Sequence, residues 1–202
     1  HKELLRREVL HADETTLQVL HEPGKAPQSE SYMWLYRTSG DTNKPIVLYE
    51  YQPGRGAKHP EAFLKGFKGY LHTDGYAGYH NLPEEITVVG CWAHARRKFD
   101  EAVRSLPKGK AKGSSASQGL TYCNLLFRME QEIADKTAEE RYEERLKQAK
   151  PVLDAIFAWA NSRTAAPKSA LGKALNYLKE QWPYLTNYLK DGRLELSNNR
   201  AE

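Results

Sequence analysis

Along the first hundred residues, apolar, aromatic and β-branched positions cluster in short runs punctuated by turn-forming residues. Residues 10–21 read as a strand, closed by Glu22-Pro23-Gly24. Residues 31–38 (Ser-Tyr-Met-Trp-Leu-Tyr-Arg-Thr) read as a second, followed by the turn signal Ser39-Gly40-Asp41, and residues 45–51 as a third, ended by Pro53-Gly54. Their close spacing predicts an antiparallel meander. Residues 60–67 read as a helix with Pro60 in its first turn. Residues 70–73 form a fourth predicted strand ending at Asp74-Gly75. Residues 86–89 form a fifth, running through Gly90 and Cys91 into a helical pattern over 93–103. Ahead of the first strand, Leu4, Leu5 and Val9 suggest a short helix.

The second hundred residues change character. Residues 106–119 are rich in Lys, Gly and Ser and read as a flexible basic linker. Beyond it, Leu125, Leu126, Met129 and Ile133 recur near helical spacing over 120–135. Thr137-Ala138-Glu139-Glu140 is a capping-box signature for a following helix, with a kink expected at Pro151. A third pattern spans 170–189, interrupted at Pro183. The order of elements predicts an α+β (mixed α/β) fold. It follows the β-β-β-α-β-α-β run of an RNase H-like mixed sheet, except that a loop over 76–85 replaces the second helix. The expected organisation is a core over 1–104, a linker and helical insertion over 105–190, and the start of a C-terminal helix over 191–202.

Composition changes this picture little. The 202 residues are 28% charged with a net charge of +4, compatible with a polyanionic partner without requiring one. Two cysteines are too few for a disulfide framework and fit a reducing cytoplasm. No run of about 18 apolar residues suggests a membrane span. The chain opens on His1 and closes on Glu202, which reads as a segment of a longer protein.

Three acids stand where phosphoryl-transfer chemistry would use them. Asp13 lies inside the first strand, Asp74 ends the fourth, and Glu202 follows Ser197-Asn198-Asn199-Arg200-Ala201, where an Asn can cap a helix and set Glu in its first turn. Two Mg²⁺ ions roughly 3.5–4 Å apart can stabilise the attacking and leaving oxygens of an in-line displacement, and such hard cations take carboxylate oxygens. Spacing alone does not single these residues out, because 26 acids yield many triples. An acid at a strand end is commonly a solvated turn residue, which leaves Asp74 open. Asp13, among Leu10, Leu17 and Val19, is a costlier strand residue unless something pairs with it.

Four strings resemble the transposases of the IS66 insertion-sequence family: Leu10-His11-Ala12-Asp13-Glu14-Thr15, residues 71–79 around His72-Thr73-Asp74-Gly75-Tyr76, residues 90–99 around Cys91-Trp92-Ala93-His94-Ala95-Arg96-Arg97, and residues 194–202 ending in Asn198-Asn199-Arg200-Ala201-Glu202. The resemblance covers nearly the whole chain in matching order. It implies an RNase H-like DDE catalytic domain, with Asp13, Asp74 and Glu202 as catalytic and metal-binding acids for two Mg²⁺ or Mn²⁺ ions. It further implies DNA end cleavage and strand transfer, with transposon ends and target DNA as partners. A homo-oligomer on DNA, accessory proteins of the same element and a nucleoid-associated cytoplasmic location belong to the same expectation. In that family DNA-binding elements lie upstream and a further segment follows the last acid. The 202 residues alone are therefore expected to be inactive or weak, with Glu202 frayed.

Other constellations read more plainly. Cys91 and His94 form half of a zinc site, but only Cys123 remains as a further thiol. Packing or hydrogen bonding near the active site is the favoured reading, and a buried Cys with a satisfied His is the plain one. His94-Ala95-Arg96-Arg97 contains a tyrosine-recombinase-like His-x-x-Arg, which in a β-rich half lacks its context; Arg97 suits a phosphate contact or a solvated face equally. His11 and His72 each stand two residues before an acid, on the same strand face, and are candidates to flank the metals. Trp34, Trp159 and Trp182 read as core. Two other functions remain open at this point: an RNase H-like nuclease without strand transfer, and a catalytically dead DNA-binding scaffold.

Overall fold

A computed structural model describes residues 1–40 and 42–202; Asp41, the last residue of the predicted turn after the second strand, lies outside the described residues. The chain forms two compact units, His1–Val89 with Asn198–Glu202, and Gly90–Ser197.

The first unit is a five-stranded mixed sheet. Its strands are β1 (Val9–Gln18), β2 (Glu30–Thr38), β3 (Val47–Gln52), β4 (Gly69–His72) and β5 (Ile86–Val89), in the spatial order β3-β2-β1-β4-β5. β1, β2 and β3 pair antiparallel, whereas β4 runs parallel to β1 and β5 parallel to β4. Leu10, Ala12, Trp34, Tyr36 and Leu71 are fully buried. The short helix α1 (Lys58–Phe63) is anchored by Phe63, whose ring stacks on Tyr36 at 3.7 Å between centroids. Period-2 geometry then sends His11, Asp13 and Thr15 to the other face.

Several sequence expectations shift here. Val9 belongs to β1, because it pairs with Tyr70, and the predicted N-terminal helix is a single 3-10 turn at Leu4–Arg6. β1 stops at Gln18, where its partner strand begins at Glu30. The segment 76–85 holds only a 3-10 turn at Ala77–Tyr79, matching the loop expected there.

The second unit is helical: α2 (Trp92–Arg104), α3 (Ser115–Glu132), α4 (Ala138–Glu144), α5 (Lys150–Asn161) and α6 (Ala170–Leu185). The predicted linker loses its last five residues, 115–119, to α3, because the Ser114 hydroxyl accepts from the Ser117 backbone N–H and starts the helix there. The Thr137 capping box forms as expected. The helix runs on from α4 through a π-helical stretch at Arg145–Ala149 into α5, so the kink expected at Pro151 is met by a π-bulge just ahead of it. Pro183 does not interrupt α6; it lies two residues before the end, where the loss of one backbone bond is tolerated. Trp92, Phe99, Leu126, Ile156, Trp159 and Leu178 build the core, while Trp182 is half-buried and stacks on Phe157 at 4.9 Å.

Arg145 is the buried charge of this unit. Its guanidinium pairs with both Glu130 oxygens at 2.7 and 2.8 Å and donates to the carbonyls of Tyr188, Asp191 and Leu194 at 2.8–3.1 Å. Five bonds satisfy a cation that would otherwise be prohibitive to bury. Among the described residues no helix is long and apolar enough to cross a membrane.

Candidate active site

The difference in strand length builds the site. β4 pairs with β1 only over Val9–His11, so β1 runs on past the end of its parallel neighbour. Ala12, the first residue beyond that pairing, gives its carbonyl to the Asn198 side-chain amide at 2.9 Å. After β4 the chain turns at Gly75, whose φ of 98° favours glycine, and the Asp74 carboxylate accepts from the Tyr76 backbone N–H at 2.8 Å. That turn brings Asp74 to the open stretch of β1. Carboxylate oxygens of Asp13, Glu14 and Asp74 lie within 4.8 Å of one another, although Asp13 and Glu14 leave opposite faces of the strand.

Three acids this close are electrostatically unfavourable, and the cluster shows it. Burial, then the Asp74 charge, push the Asp13 carboxyl up to about 7, with Glu14 and Glu202 adding to the effect. The Asp13 carboxylate also accepts from the Glu14 backbone N–H at 2.9 Å, which opposes the shift. Glu14 is raised by burial too, countered by Tyr79 and Arg55. Its side chain is 1% exposed. One oxygen accepts from Arg55 Nε at 2.7 Å and pairs with its Nη2 at 2.6 Å; the other accepts from the Tyr79 hydroxyl at 2.8 Å. Arg55 Nη2 also stands 4.0 Å from Asp74.

Of the acids singled out in the sequence, Asp13 and Asp74 converge. Glu202 is exposed and stands outside the 4.8 Å set, but it lines the same cavity as Asp13, about 570 Å³ in volume, together with Leu35, Tyr49 and Arg200. The helix start expected at the Asn198-Asn199 pair is a turn, and Asn198 serves β1 instead. Its amide nitrogen is committed to Ala12, so its oxygen faces His11 Nδ1 at 2.9 Å, and residues 198–201 form a turn closed by the Ala201 N–H on the Asn198 carbonyl. A carbonyl can only accept, so the amide orientation is fixed and His11 Nδ1 carries the donor proton. His11 Nε2 meets Ser39 Oγ at 3.3 Å, and the ring stacks on His72 at 4.3 Å; both imidazoles are buried.

Cys91, His94 and Arg97 belong to the second unit. There the Gly90 N–H donates to the Tyr184 carbonyl, the Trp92 N–H to Leu196 and the Trp92 indole to Leu185, which fixes the start of α2. Cys91 Sγ and a His94 ring nitrogen lie within 4.8 Å, and Arg97 is exposed. Cys91 and Cys123 are both buried.

Sequence reasoning missed Glu14, Arg55, Tyr79 and Asn198 as parts of this arrangement. Glu14 carried a signal, as an acid that period 2 sends to the Trp34 and Tyr36 face, where it needs a partner. Arg55 carried none: it sits in a Pro-Gly turn, 41 residues from Glu14.

The geometry defines an α+β protein with three acids gathered where the central strand β1 runs past the end of β4. The chain belongs to the IS66 transposase family, whose family model matches residues 1–202. It is 33% identical over 210 residues to the uncharacterized protein y4qI of Sinorhizobium fredii, and 30% identical over 214 residues to y4hP of the same organism. Each alignment covers 96% of this chain but 38% of the relative, so the chain spans well under half the length of these proteins. No solved structure matches it.

Proposed function

We propose that this chain carries the phosphoryl-transfer centre of a DDE transposase, and that its sheet is RNase H-like: three antiparallel strands, then two strands parallel to the first on its far side. Family membership supports a role in transposition. The convergence of Asp13 and Asp74, brought together from positions 61 residues apart by the early end of β4, is the observation that carries the reading.

The donor set fits hard divalent cations. It is all oxygen, and a group pushed up to about 7 by burial and a neighbouring carboxylate is one that a cation would relieve. Asp13 and Asp74, with Glu202 from the lining of the cavity it shares with Asp13, are the residues that would hold two Mg²⁺ or Mn²⁺ ions. When bound, such ions supply Lewis-acid stabilisation of the attacking and leaving oxygens. The protein's own work is placement: β1 fixes Asp13, the Asp74–Tyr76 turn fixes Asp74, and Asn198 ties the segment bearing Glu202 to β1. In the first step water adds to the phosphodiester at a transposon end and the P–O3′ bond breaks, leaving a 3′-hydroxyl and a 5′-phosphate. In the second, that hydroxyl attacks a target phosphodiester and displaces its 3′-oxygen, joining the strands. Cys91, His94, Arg97 and His72 are assigned supporting or DNA-contacting roles. Residues 1–104 are assigned to the core, 105–190 to an insertion and 191–202 to the start of the segment carrying the last acid. A multimer on paired DNA ends, with accessory proteins, completes the proposal.

The test is end cleavage by the full-length protein in Mg²⁺. Asp13→Ala and Asp74→Ala are expected to abolish cleavage while DNA binding persists; cleavage retained in either variant overturns the assignment.

A further inference from the structure

Glu14 satisfies the distance requirement for a metal ligand, yet its chemistry points elsewhere. It is almost fully buried, and both of its oxygens are already committed, one to Arg55 and the other to Tyr79. Arg55 is held with corresponding care. Nε and Nη2 both engage Glu14, the guanidinium lies 4.0 Å over the Tyr76 ring, and the Tyr76 hydroxyl donates to the Arg55 carbonyl. Tyr76 is in turn placed by the same Asx turn that orients Asp74. Glu14 and Tyr76 together therefore fix one cation beside the acid cluster.

The fixed cation is not fully spent. Its side chain is 41% exposed, and among the described residues Nη1 makes no hydrogen bond. A guanidinium clamped along one edge and open along the other is pre-organised to take an anionic oxygen at low entropic cost. A solvated surface Arg would need no buried carboxylate behind it.

We propose that Arg55 binds a phosphate of the DNA strand at or next to the scissile position, and that Glu14 is its positioning residue and not a metal ligand. This rests on the phosphoryl-transfer reading of the site. Glu14 sets the direction of Arg55, and the Tyr76 ring sets its height above Asp74.

The experiment scans a transposon-end duplex with single neutral methylphosphonates at the scissile phosphate and the three on either side. Binding to the full-length protein is measured in Ca²⁺, so that no cleavage is needed. For the wild type, one position should weaken binding about tenfold, the order of a charge-assisted hydrogen bond. Arg55→Gln should lose the same factor on unmodified DNA, lower the salt slope by about 1, and show no further loss when that position is neutral. Glu14→Gln should behave as Arg55→Gln, non-additively with it, and leave Mn²⁺ affinity within about twofold. A structural defect would weaken every substrate equally, and that outcome overturns the proposal. So does an effect of Arg55→Gln that persists undiminished at every neutral position, or a loss of Mn²⁺ binding in Glu14→Gln as large as in Asp13→Asn. Phosphate coupling without Mg²⁺ cleavage would defeat the transposase chemistry alone. Cleavage that needs Asp13 and Asp74 without phosphate coupling would defeat the Arg55 assignment alone.

Discussion

The side-chain amide of Asn198 donates to the backbone carbonyl of Ala12 at 2.9 Å, across 186 residues of sequence. The bond lies one residue before Asp13 and four before Glu202, so one buried side chain ties the segment of the last acid to the strand of the first. Asn198→Ala removes the partner of the Ala12 carbonyl and of His11 Nδ1 together. Unsatisfied buried polar groups cost about 1–3 kcal/mol each. We expect a lower urea midpoint at unchanged m value, and a loss of end cleavage larger than the loss of stability explains.

Metal-free protein should lose stability as pH rises. The Asp13 pKa is near 7 in the folded state against about 3.8 for a freely solvated Asp carboxyl, so between those values the folded state binds more protons than the unfolded one. Stability then falls with rising pH across that window and levels off above it. Urea titrations between pH 4 and pH 8 in chelator should show this negative slope. Asp13→Asn should flatten it, and saturating Mn²⁺ should raise stability most at the upper end.

Arg145 gives a prediction independent of catalysis. Breaking a buried ion pair by removing one partner costs about 3–5 kcal/mol; Arg145 is fully buried and Glu130 is 15% exposed, which favours the lower end. Arg145→Ala should therefore destabilise the chain by about that much in denaturant unfolding, and Glu130→Gln by less, since Arg145 keeps its three carbonyl acceptors.

The strand runs, the capping box at Thr137 and the loop over 76–85 were legible because each rests on local chemistry. The ends of elements were less so. β1 stops where β2 begins pairing, and α3 starts early because Ser114 caps it; both depend on partners that periodicity does not register. Asp13 and Asp74 were visible in the sequence as acids on and at the end of strands, but their convergence depends on β4 being shorter than β1, which only the register reveals. Glu14 and Arg55 meet across a turn without any spacing rule. A helix start was expected at the Asn198-Asn199 pair; Asn198 instead serves β1, where Ala12 lies beyond the pairing with β4.

The central claim is that Asp13 and Asp74 share divalent cations. Anomalous diffraction from crystals of the protein soaked in Mn²⁺ tests it most directly. Manganese peaks are expected within ligand distance of both carboxylates, as a pair roughly 3.5–4 Å apart when DNA is bound. Two Asp side chains still facing each other with no manganese between them, at saturating concentration and neutral pH, would contradict it.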